Sequence, residues 1–134
     1  MKREEVIYNQ IIDGLRLAAS PFDVQKDVLP DFVHLPDEVL NAVEYVLVPQ
    51  LIEVGLITED QARAVKEYDE FLDTLEPMED YEGALKQMED GSWFQELREK
   101  ATALLQLLGE VYQRPTLDGV VYVKGAQQKN AADR

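Results

Sequence analysis

Apolar residues recur at helical spacing along most of this chain. Ile7, Ile11, Leu15 and Ala18 lie on one stripe that Tyr8, Ile12 and Ala19 widen, which predicts a helix over residues 3–19, stopped by Ser20-Pro21. Pro21, Pro30 and Pro36 each push the residue before them out of the helical region. Phe22, Val28, Leu29, Phe32, Val33 and Leu35 are nevertheless too apolar for a free linker. Residues 20–37 are therefore expected to pack on the body, with a short helical turn around 23–28. A second helix is expected from Asp37-Glu38, with Val39, Val43, Val46 and Leu47 inward. Pro49, which lacks an amide hydrogen and clashes one turn back, should interrupt it. Residues 50–54 would continue as a second piece up to Gly55, a good helix-ending residue.

Thr58-x-x-Gln61 has the form of a capping box. The helix it opens should carry Ala62, Val65, Tyr68, Leu72 and Leu75 inward, with Phe71 beside them, and end at about Glu76-Pro77. A short helix over 80–88 follows, with Tyr81, Leu85 and Met88 as its apolar set, broken at Asp90-Gly91. Ser92-x-x-Gln95 is a second capping-box match. Behind it Leu97, Ala101, Leu104, Leu105, Leu108, Val111 and Tyr112 form a stripe that Arg114-Pro115 should end. Past that point Val120-Val121-Tyr122-Val123 is a short β-prone run, too isolated to count as a sheet, and Ala126 to Arg134 read as a polar tail. The expectation is all-α: a compact bundle of about five or six helices, one interrupted near Pro49, with an irregular C-terminal tail. It places a single helical domain at residues 1–115 and an extension at 116–134.

Charge alters this picture more than composition does. The 134 residues are 46% apolar, enough for a core, and they carry a net charge of −14. That charge is concentrated. Residues 21–92 hold −15, whereas residues 1–20 are neutral and 114–134 are at +2. The densest run, Glu67 to Glu82, contains Glu67, Asp69, Glu70, Asp73, Glu76, Glu79, Asp80 and Glu82 and no Lys or Arg. With a helix ending near Glu76, the acids Glu70, Asp73 and Glu76 would oppose the negative end of its dipole. Locally unfavourable choices mark candidate functional positions, against the plainer reading of a solubilising surface. A phosphate backbone or an anionic membrane would be repelled, and a basic protein attracted.

Candidate chemistry is sparse. There is no cysteine, hence no disulfide, thiolate ligand or thiol nucleophile. The start, Met1-Lys2-Arg3-Glu4-Glu5, is charged and leads into no signal-type apolar run, and no stretch is long and apolar enough for a membrane span. A cytoplasmic location is expected. The single histidine, His34, lies between two prolines; Ser20 ends a helix and Ser92 reads as a cap, so no serine–histidine arrangement is drawn from them. Asp31-x-x-His34 is half a carboxylate–histidine metal motif with no second half. Glu79-Asp80-Tyr81-Glu82-Gly83 orders its ligands and glycine wrongly for a calcium loop. Trp93 and Phe94 are read as core anchors. No catalytic residue, metal or cofactor is assigned.

Three runs carry a family resemblance: Leu35-Pro36-Asp37-Glu38-Val39, the segment from Pro49 through Gly55 to Gln61, and Tyr68-Asp69-Glu70-Phe71-Leu72-Asp73. With Ser92-Trp93 and Leu104-Leu105-Gln106-Leu107-Leu108-Gly109 after them, roughly residues 31–109 resemble a group of small acidic bacterial proteins. That group is similar to immunity proteins that accompany contact-dependent or other polymorphic toxins. None of these motifs is catalytic, and the first 30 residues and the tail after Pro115 fall outside the resemblance.

The resemblance implies a non-catalytic module that neutralises a cognate basic toxin by occluding its active site. The expected partner-binding residues are Glu67, Glu70, Asp73, Glu76, Glu79, Asp80 and Glu82. A second reading is a structural or regulatory adaptor that self-associates, or docks a helix, through Val46, Leu47, Val48, Leu51 and Ile52. On either reading the chain is a monomer or a weak homodimer that binds a protein, and neither nucleic acid nor membrane.

Overall fold

Helix α1 (Arg3–Ala19) lies along the body with Ile7, Ile11, Leu15 and Ala18 buried, the stripe expected from their spacing. The computed structural model describes residues 2–43, 45–78 and 80–115. Within them follow α2 (Phe22–Val28), α3 (Leu35–Leu40), a 3₁₀ turn (Tyr45–Leu47), α4 (Val48–Glu53), α5 (Glu59–Leu72), α6 (Tyr81–Asp90) and α7 (Ser92–Leu107). The architecture is an all-α bundle. One apolar cluster joins it, running from Ile7 on α1 through Val39, Leu51 and Val65 to Phe94, Leu97 and Leu105 on α7. α1 packs most extensively on α7, which runs in the opposite direction: Tyr8 meets Glu110 just past the end of α7, and Arg98 near its start meets Ser20. The β-prone run at Val120–Val123 and the polar tail lie outside the described residues.

Several boundaries differ from expectation, each for a physical reason. The interruption expected near Pro49 is wider than a kink. α3 ends at Leu40, the chain turns through 41–43, and a new helix starts at Val48 with Pro49 in its first turn, where its missing amide hydrogen costs nothing. The turn lies against Gly14 of α1, and a Cβ on that glycine would collide with the carbonyl of Ala42. The close approach therefore needs glycine.

α5 begins at the Thr58 capping box as expected, with Gln61 N donating to Thr58 Oγ1 at 3.1 Å and Thr58 N donating to Gln61 Oε1 at 2.8 Å. It ends early, at Leu72, rather than near Glu76. Thr74 Oγ1 donates to the Phe71 carbonyl at 2.7 Å and accepts from Trp93 Nε1 at 2.9 Å, which draws the chain off the helix.

The second capping box is not formed. Gly91 alone separates α6 from α7 and caps both, so Ser92 is already helical and Gln95 Nε2 donates to Glu99 instead. α7 ends at Leu107 rather than at Arg114. Glu110 N donates to the Leu105 carbonyl and Gly109 N to that of Gln106, closing a Schellman motif around Gly109 at φ +81°. Val111 and Tyr112, expected on the buried stripe, are exposed.

Beyond α7 the chain returns along α1. Arg16 Nε donates to the Val111 carbonyl at 3.1 Å, and Arg114 pairs with Asp27 of α2. Ser20 Oγ donates to the Arg16 carbonyl at 2.7 Å, leaving the Tyr112 hydroxyl to donate back at 2.8 Å. Gln25 Nε2 donates to the Leu17 carbonyl at 2.9 Å, and Arg98 donates to the carbonyls of Ser20 and Met88. Thus carbonyls at the end of α1 are taken up by the hydroxyl of its own cap, Ser20, and by side chains from α2 and α7. Burial lowers the pKa of Arg98.

Candidate partner-binding face

The expected site residues that the structure describes are exposed on α5, on α6 and in the loop between them. Glu67 and Glu70 are exposed on α5, Asp73 caps its C-terminus, Glu76 lies in the following loop and Glu82 in the first turn of α6. Glu79 falls outside the described residues. Asp80 has a second role: its Oδ1 accepts from Gly83 N at 2.7 Å and caps α6. Because α5 stops at Leu72, Glu70 and Asp73 oppose its dipole, whereas Glu76 is past the helix and does not.

Ion pairs form at some acids of the surface and not at others. Elsewhere Asp60 pairs with Arg63 at 2.8 Å, Asp90 with Lys86 at 3.3 Å and Glu96 with Lys100 at 3.6 Å. Among the described residues, no ion pair reaches Glu67, Asp69, Glu70, Asp73, Glu76, Asp80 or Glu82.

The structure adds residues that the sequence reading left out of the site. The His34 ring stands 4.9 Å from that of Tyr81, which sets the start of α3, with Asp37 and Glu38 in its first turn, beside the start of α6. Burial, with the Asp37 charge beside it, raises the Glu38 pKa. Between α3 and α5 is a cleft of about 510 Å³ lined by Leu40, Asn41, Val43, Asp69, Leu72 and Asp73. The one sequence signal for this cleft was the spacing of Asp69 and Asp73, one turn apart on α5. Its opposite wall depends on where the chain turns after Leu40.

Other candidate chemistry resolves into structure. His34 caps α3, with Nδ1 accepting from Asp37 N at 3.3 Å. Ser20 is buried against α1, and Ser92 is exposed at the first residue of α7. Among the described residues, no group of three or more metal-binding side chains comes together. Trp93 stacks on Phe71 at 4.8 Å between ring centroids and meets Phe94 edge-on at 5.0 Å, an anchor as expected. Of the apolar adaptor set, Val48 and Leu51 are core and Leu47 and Ile52 pack against it, leaving Val46 exposed. No helix among the described residues is long and apolar enough to cross a membrane.

Compared with models of protein families, with curated proteins and with solved structures, the chain matches none.

Proposed function

We propose that this chain is a non-catalytic, acidic protein-binding module whose unpaired carboxylate edge takes a basic protein partner. The favoured partner is a toxin, often a nuclease, whose active site the module occludes in the cytoplasm of the bacterium that makes both, in the manner of an immunity protein. One observation carries this reading: the run Glu67–Glu82 gathers eight acids with no Lys or Arg among them, and none of the described ones forms an ion pair. An unmatched edge costs stability through self-repulsion, and a complementary partner offsets that cost. Close charge pairs across an interface fix register, and rim charges accelerate encounter.

The test is co-purification with the product of the adjacent gene, followed by association rates across a salt series. Binding should weaken steeply with salt. The variant Glu67→Lys/Glu70→Lys/Asp73→Lys should slow association by about tenfold or more while its helical circular dichroism is unchanged. If the neighbouring product does not bind and its toxicity is not relieved, the reading is wrong.

A further inference from the structure

Arg98 is a half-buried cation in a strongly acidic chain, yet no carboxylate pairs with it among the described residues. The other half-buried arginine among them, Arg16, has Asp13 at 3.9 Å and Glu110 at 3.4 Å. Burial lowers the pKa of Arg98, and no neighbouring carboxylate opposes that shift. Its Nε donates to the Ser20 carbonyl at 3.1 Å and its Nη2 to the Met88 carbonyl. Nη1 donates to neither, and it is not among the buried atoms that lack a partner, so solvent reaches it. Neutral carbonyls satisfy the donors they touch but leave the charge itself uncompensated.

Arg98 lines a pocket of about 520 Å³ between the end of α1 and α7, a size that suits a small molecule. Ala19, Pro21 and Ala103 give the pocket apolar walls. We propose that it binds a carboxylate carrying a short aliphatic group, whose oxygens accept from Arg98 Nη1 and whose hydrocarbon lies on those walls. The two N–H bonds of a guanidinium nitrogen suit carboxylate oxygens, and such charge-assisted bonds are stronger than those to carbonyls. The Gln106 amide, also in the lining, can supply another donor, whereas the Thr102 hydroxyl already donates to the Arg98 carbonyl at 2.9 Å. Glu99 limits the charge of the ligand. It lines the same pocket, with its Oε2 held by Gln95 Nε2 at 3.1 Å. A phosphate dianion would meet that carboxylate with a single cation to offset it, so a monoanion is favoured. This site lies apart from the Glu67–Glu82 acids and does not rest on the protein-binding reading.

The experiment is an amide NMR titration of the full chain with butyrate, N-acetylalanine, butyramide and phosphate, at constant ionic strength set with sodium chloride. Butyrate should give saturable shifts at the amides of Gln95, Glu99, Thr102 and Ala103 and at the Arg98 Nε–H. Butyramide, of the same shape without the charge, should give none, and phosphate should bind about tenfold more weakly than butyrate. N-acetylalanine carries the carboxylate of a peptide C-terminus; binding of either acid supports the site, and the tighter one identifies its source. Two variants leave Arg98 in place. Ala103→Phe, at an exposed position, fills the pocket and should abolish the shifts with helical circular dichroism unchanged. Glu99→Gln should tighten butyrate by about threefold. Equal shifts with butyramide, equal binding of phosphate, retained binding in Ala103→Phe, or no saturable shift with either acid would each overturn the proposal. Partner binding through the acidic residues would be untouched by that failure.

Discussion

Two polar regions of this molecule treat their charges in opposite ways. At the corner where α1 ends, Ser20 and Gln25 are fully buried, and Arg98 holds two backbone carbonyls from the ends of α1 and α6. Almost every polar atom there has a protein partner; Gln25 Oε1 is buried without one. On α5, on α6 and in the loop between them, exposed carboxylates stand without an ion pair among the described residues. The corner joins four segments that are far apart in sequence, so its hydrogen bonds act on the whole fold. Among the described acids of Glu67–Glu82, Asp80 supports the fold directly by capping α6. On the proposed function, stability and recognition would rest on different polar groups, and each could be altered without the other.

The largest expected effect comes from breaking the corner. Arg98→Met keeps the aliphatic stem and removes both donors, leaving the carbonyls of Ser20 and Met88 without partners among buried residues. An unmet buried acceptor costs about 1–3 kcal/mol, and relief of the buried charge offsets part of the total. We expect a net loss of about 2 kcal/mol in urea denaturation, with association of a basic partner unchanged. A loss of partner binding at constant stability would show that the two regions are not separate.

The next effect is smaller and lies within the edge. Asp80→Ala removes the cap on Gly83 N and should cost about 1 kcal/mol. Asp80→Asn keeps an acceptor there and removes the charge, so it should cost only a few tenths of a kcal/mol. Equal losses for the two variants would assign the effect to charge and blur the division. Partner association should respond to both variants alike, because it reads the charge.

The division also explains which parts of the fold and site could be read from the sequence. α1 and the start of α5 depend on local pattern: an apolar stripe in one, a reciprocal cap between Thr58 and Gln61 in the other. The acids of the edge are likewise consecutive in sequence. The corner is not local. Tyr112 and Ser20 are 92 residues apart and Arg98 and Ser20 are 78 apart, and no periodicity links them. The cleft was hidden for a related reason: one wall belongs to a turn whose position depends on the contact between Gly14 and Ala42. The ends of α5 and α7 were misplaced because side-chain bonds from Thr74 and a glycine at C′ ended them before the prolines could.

The smallest expected effect tests whether the edge carries a stability cost of its own. Burial raises the Glu38 pKa, with the neighbouring Asp37 charge adding to it, and the direction sets the sign. A carboxyl whose folded pKa lies above its unfolded one stabilises the fold while protonated, and that contribution is lost as pH rises through the folded value. At neutral pH the ionised Glu38 is therefore a small penalty. Glu38→Gln should raise the thermal midpoint at pH 7, by an amount equivalent to a few tenths of a kcal/mol after allowance for solvent screening of this half-exposed group. The gain should shrink as pH falls and disappear below the ordinary glutamate range. A gain of the same size at acid pH would mean that packing, rather than charge, sets the cost.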